Sequence, residues 1–179
     1  MNKIILDLCG GTGAWSKPYK DAGYDVRLIT LPENDVRTYQ PPENVYGILA
    51  APPCTHLSGS GARWWKQKGE GALLEALSIA DACLRIVTIC NPSWWALENP
   101  VGRLRRYYSD PVLLFNPCDY GDPYTKKTLV WGNFNLPNKT PVEPTEGSKI
   151  HLYPPSEDRA KLRSITPQGF AQAFFEANK

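Results

Sequence analysis

The chain has 179 residues, enough for one domain with a true core, and its 42% hydrophobic and 21% charged residues are ordinary for a globular protein. A net charge of only +2 excludes a global field for nucleic acid, so any such surface has to come from local clusters. Five cysteines without paired spacing and only two histidines argue against a disulfide framework and a metal centre, and no apolar run approaches membrane length; a cytoplasmic, reduced protein is expected.

Residues 3–9 read as a buried first strand, and Gly10, Gly11 and Gly13 then form a tight turn into a helix expected to reach about Ala22. Residues 25–31 give a second strand and 45–51 a third. Pro52 and Pro53 cannot continue a ladder, so the third strand ends there and hands Cys54 to a loop. Gly59, Ser60 and Gly61 are expected to let that loop move. Over residues 69–90, Leu73, Leu77, Ala80, Leu84 and Val87 recur at helical spacing, an apolar stripe that faces a sheet. A strand over 94–97 is expected to end at Glu98, two later strands lie near 112–115 and 128–131, and Thr166-Pro167 opens a last helix. Residues 134–161 are loop-rich. Strands alternating with helices predict an α/β fold with a largely parallel sheet, over a single domain 1–179.

In such a sheet ligands sit at the carboxyl ends of the strands, and a thiol placed there is a candidate nucleophile. Cys54 is that thiol. Glu98, in an apolar niche between Trp94, Trp95 and Pro100, would have a raised pKa and suit an acid's role. Basic residues cluster beside both: Arg63, Lys66 and Lys68 around Trp64-Trp65, then Arg103, Arg105 and Arg106, then Lys126-Lys127. Cations interleaved with aromatic rings suit a displaced base and its flanking phosphates.

Taken in order, five segments resemble the DNA cytosine-5 methyltransferases. Asp7-Leu8-Cys9-Gly10-Gly11-Thr12-Gly13 is similar to the family's first motif, with Cys9 in place of the usual phenylalanine. Asp35-Val36 resembles the pair that reads adenine, Pro52-Pro53-Cys54 with Leu57-Ser58 the nucleophile motif, Glu98-Asn99-Pro100 the Glu-Asn-Val motif, and Tyr120-Gly121-Asp122-Pro123 with Lys126, Lys127 and Thr128 a later box. The resemblance implies a Rossmann-like, three-layer, S-adenosylmethionine-dependent methyltransferase fold. It also implies S-adenosylmethionine as cofactor and cytosine in DNA as substrate. Carried over residue by residue, it makes Cys54, Glu98 and Lys126 catalytic. Asp7, Cys9, Gly11, Thr12, Gly13, Leu31, Asp35, Val36, Pro53 and Ser164 would surround the cofactor. Ser58, Arg63, Lys66, Arg103, Arg105 and Lys127 would face nucleic acid.

The chain departs from that family in three places. Tyr124, Lys126 and Thr128 stand where the later box has Gln, Arg and Arg, leaving base contacts to Lys126 or Lys127. Leu31 stands where an acidic residue would take the ribose hydroxyls, with Glu33 nearby. Only residues 134–161 occupy the place of a target recognition region, so low or short-context sequence specificity is expected. An amino-methyltransferase would need other residues at Ala51 and Cys54. Two further readings remain open: a cofactor- or DNA-binding subunit that needs a protein partner, and an enzyme acting on RNA or free cytosine nucleotides.

Overall fold

The computed structural model describes residues 3–179. Six strands, β1 (Ile4–Leu8), β2 (Asp25–Ile29), β3 (Val45–Ala50), β4 (Trp94–Pro100), β5 (Leu113–Phe115) and β6 (Thr128–Asn133), make one sheet in the order β2-β1-β3-β4-β6-β5. The first four in that order are parallel, and β6 runs antiparallel to both β4 and β5.

Helices cover both faces and give three layers, as the alternation of elements predicts. On one face lies α2 (Trp65–Cys90), whose buried Ala76, Ala80, Cys83 and Ile86 are mostly small and let the helix lie close to Leu6, Leu8, Ile48 and Leu97. The other face is aromatic. There α1 (Lys17–Asp21) and α4 (Gln168–Ala177) bring Tyr19, Phe170 and Phe174 onto Trp15, Trp94 and Phe115, with Phe170 stacked on Phe115 at a centroid distance of 3.9 Å. Each fully buried phenylalanine stabilises the fold by about 1.5–3 kcal/mol. Among the described residues no helix is long and apolar enough to cross a membrane.

Several boundaries differ from the expected ones, each for a visible reason. The first helix does not start at the glycine turn: residues 10–16 stay irregular, with Gly11 and Gly13 at φ of 56° and 71°, and α1 forms only one turn of helix. The second strand stops at Ile29, whose carbonyl accepts from the Cys9 amide at 2.7 Å, so Leu31 lies beyond the ladder. The fourth strand does not end at Glu98. Pairing with β6 carries it on through Pro100, with Glu98 opposite Val130 and Asn99 opposite Leu129. The long helix begins earlier, at Trp65, with a kink at Gly69 (φ 73°). A short helix, α3 (Arg159–Ser164), closes a stretch that composition reads as loop.

Candidate active site

Strand register assembles the site. Leu8 lies beside both Ile29 and Ala50, and Ala50 lies beside Leu97. The residues that follow, Cys9, Thr30 and Ala51, therefore leave the sheet side by side at one edge, next to Glu98, which stays in β4. Beyond Ala51 the Cys54 carbonyl accepts from the amides of both Leu57 and Ser58, at 3.0 and 2.8 Å, so the cysteine opens a tight turn.

That turn is fastened on two sides. Buried Asn99 donates from Nδ2 to the Pro52 carbonyl at 2.9 Å. The segment after β4 adds the Gly59 amide to Val101 O, the Arg103 amide to Leu57 O, and Arg103 Nε to His56 O at 2.7 Å. The expectation that Gly59-Ser60-Gly61 frees the loop is thus corrected: Gly59–Trp64 is a 3-10 turn, and its N-terminal flank is strapped to residues 101–103.

Glu98 and Asn99 are neighbours on β4 and so point to opposite faces. Asn99 serves the loop; Glu98 faces the aromatic side. The niche expected for Glu98 is not built as the sequence suggests, because Trp94 is four residues back, about 13 Å along a strand, and Trp95 is on the opposite face. Burial nonetheless pushes the Glu98 carboxyl above its usual range, with the Lys126 charge pulling it back. Burial also pushes the Cys54 thiol up, the charge of Glu98 adds to this, and Lys126 and Arg163 oppose it. The three residues expected to be catalytic thus lie within reach of one another's charge. A fourth, Arg163, joins them.

Lys126 donates from Nζ to the Arg163 carbonyl at 3.1 Å, tying α3 to the segment before β6. Both line a cavity of about 490 Å³ whose walls also carry Lys17, Tyr124, Lys149 and Tyr153. Of the expected site residues only Lys126 lines it.

Most of the residues expected to hold a cofactor lie around the carboxyl ends of β1 and β2, whereas Pro53 adjoins Cys54 and Ser164 ends α3. Asp7 is fully buried, accepts from Ser16 Oγ at 2.5 Å, and sits so close to Gly10 that a Cβ there would meet its carboxylate at 2.2 Å. Its Oδ1 has no protein partner, and Gly11 faces open space. An orphan acceptor beneath an open backbone turn fits the amino-acid end of S-adenosylmethionine. Asp35 is engaged by Arg37 through its amide, Nε and Nη2, which holds the carboxyl down at about 2. Val36 is core, its carbonyl accepting from Arg85, and Cys9 packs towards α2. Leu31, Thr12, Pro53 and Ser164 are exposed, and Ser164 Oγ is spent on the Lys161 carbonyl.

Burial also pushes the Asp7 carboxyl up, to about 6 from 3.8. A raised acid favours the fold below the unfolded pKa and loses that contribution as pH rises through about 6. Asp7→Asn is therefore expected to stabilise the protein more at pH 8 than at pH 5, by about 1–2 kcal/mol, since one pKa unit is about 1.4 kcal/mol. Urea unfolding at both values checks this. An equal effect at the two pH values would rule out a buried titration.

Of the residues expected to face nucleic acid, Arg63, Lys66, Arg105 and Lys127 are exposed. Arg63 lies over Trp64 at 5.2 Å, and Arg105 is paired with Asp110 at 2.6 Å. Ser58 shares its hydroxyl with Ser60. Arg103 does not sit on an open face: it is 8% exposed, bound to His56 O, with its guanidinium 4.8 Å from the Trp65 ring centroid. It braces the nucleophile loop. The sequence gives Asn99 no role of its own, although it lies inside the quoted Glu98-Asn99-Pro100 segment, and it gives none to Arg163, which opens a segment, 163–167, similar to either of two closing motifs of that family.

No protein-family model matches the chain. It is 25% identical to the type II methyltransferase M.DdeI of Desulfomicrobium norvegicum over 168 aligned positions, covering 70% of this chain and 39% of that protein. A crystal structure of a DNA modification methyltransferase encoded within an E. coli prophage matches with a TM-score of 0.50 and 16% identity, over 79% of this chain and 52% of that one. The second likeness speaks for the fold. The chain spans about two fifths of the curated relative and about half of the solved one.

Proposed function

We propose that this protein transfers a methyl group from S-adenosylmethionine to C5 of cytosine in DNA, through a covalent adduct at Cys54. The observation that carries the reading is the meeting of Cys54, Glu98 and Lys126 at the carboxyl edge of a methyltransferase-like sheet. Similarity to a type II methyltransferase supports it.

Cytosine C5 is a poor nucleophile until something adds at C6. The Cys54 sulfur, as thiolate, forms the bond to C6, and the displaced ring electrons move towards N3. Burial favours the protonated form of Glu98, and that form gives its proton to N3, so no full negative charge develops on the ring. Electron density at C5 then takes the methyl group; S-adenosylmethionine supplies it as an electrophile when bound. Loss of the C5 proton to a base restores the double bond and expels the Cys54 sulfur, and N3 returns its proton to Glu98. Asp7, Gly11, Gly13, Asp35 and Pro53 would hold the cofactor. Lys126 steadies the thiolate and the carboxylate that Glu98 becomes. Asn99 and Arg103 fix the loop that aims the sulfur.

DNA carrying 5-fluorocytosine tests the adduct, because fluorine at C5 is not lost as a proton. With cofactor present, a protein–DNA complex that survives denaturation is expected from the natural chain and none from Cys54→Ala. Methyl transfer to ordinary DNA without trapping would overturn the covalent route.

A further inference from the structure

Between the Cys54 turn and the kink at Gly69 the chain shows only one sign of charge. Residues 54–69 hold no carboxylate, yet they carry Arg63, Lys66 and Lys68, all exposed. Among the described residues none of these three cations has an ion-pair partner. Two tryptophans stand among them, and the fold treats the two differently. Trp65 is partly buried, with the Arg103 guanidinium 4.8 Å from its ring centroid. Trp64 is 48% exposed, with the Arg63 guanidinium over its ring at 5.2 Å.

The exposed ring does not ride on a free arm. Lys68 Nζ donates to the Thr55 carbonyl at 3.1 Å, and the Arg103 that lies against Trp65 holds the His56 carbonyl. On the other side of the ring, the Ser60 amide donates to Ser58 Oγ at 3.4 Å. Thr55, His56 and Ser58 all belong to the turn that Cys54 opens, so Trp64 stands between ties to that turn. Every nucleobase has a flat π-face that stacks on an exposed aromatic ring, while cations alongside take the phosphates.

We propose that Trp64 is a base-stacking platform: its indole takes the face of an unpaired base of the DNA strand, with Arg63 and Lys66 at the flanking phosphates. This rests on the reading of DNA as substrate and adds a contact made by a residue that is neither acid, nucleophile nor brace.

Fluorescence anisotropy with two single-stranded DNA oligonucleotides of equal length, one bearing its bases and one abasic at its central positions, separates base from phosphate. It needs neither cofactor nor turnover. The natural chain is expected to prefer the base-bearing strand by roughly 5–100-fold, the worth of one aromatic–base stack. Trp64→Ala should bring the two strands close to equality by weakening only the base-bearing one, and Trp64→Phe should keep most of the preference. Lys66→Ala should weaken both strands alike, because a phosphate contact carries no base information. No loss in Trp64→Ala, or an equal loss on both strands, overturns the inference. So does base-dependent binding of an RNA strand by a chain that leaves the DNA strand alone. A base preference carried by Trp64 in a protein that transfers no methyl group supports the inference and removes the methyl-transfer reading instead; methyl transfer to DNA without that preference does the reverse.

Discussion

Replacing Glu98 by Gln is expected to slow methyl transfer by about 10²–10⁴-fold, the usual worth of a positioned acid, while making the Cys54 thiol more acidic. The two effects have opposite signs for one reason. Gln keeps the shape of the side chain but has no proton of the right acidity for ring N3, so attack at C6 builds up charge that nothing takes. The same change removes a carboxyl whose ionised form pushes the thiol up, leaving only burial to set against the charges of Lys126 and Arg163. Single-turnover transfer and the pH profile of Cys54 alkylation read the two halves separately. A thiol profile unchanged in Glu98→Gln would mean that no carboxylate charge at Glu98 reaches the sulfur.

Gly102→Ala is expected to cripple the protein without touching any group that reacts. A Cβ on Gly102 would lie 2.0 Å from Leu57 O and 2.9 Å from Gly59 N, both backbone atoms that no side-chain rotation moves. The strap between residues 57–59 and 101–103 has to open, and with it the hold on the Cys54 turn. Overpacking of this kind costs about 1–3 kcal/mol. A displacement of about 1 Å at the sulfur costs transfer roughly 10²-fold. Gly71→Ala provides the contrast: it lies in α2 with open space around it, and the same methyl group there should stabilise by about 0.4–1 kcal/mol. Thermal unfolding and transfer rates for the two variants decide the matter. Near-normal transfer in Gly102→Ala would show that the loop does not need its strap.

Much of the fold was legible because its signals are local. Apolar runs bounded by glycine and proline gave β1, β3 and the apolar stripe of α2, and those elements lie close to where the periodicity puts them. What was not legible depends on partners far away in the chain. β4 extends through Glu98 because β6, some thirty residues later, offers it a ladder. The first helix shrinks because Asp7, Gly10 and Ser16 pack against one another in the irregular turn. Arg103 looks like a phosphate ligand in a run of basic residues, and only the return of its chain past His56 makes it a brace. Arg163 opens a segment similar to either of two closing motifs, which fixes no place for it, and only the short helix α3 brings it beside Lys126.

The side chains of Glu98 and Asn99 leave one strand in opposite directions, one towards Lys126 and the other onto the Pro52 carbonyl that holds the Cys54 loop. Acid and anchor therefore cannot drift apart: whatever moves β4 along its axis moves both. A slip by a single residue would turn each side chain to the opposite face, taking the amide away from the Pro52 carbonyl and the carboxyl away from Lys126. One deletion within 94–97 would thus cost two functions together, while length changes in the exposed stretch 138–146 leave both untouched.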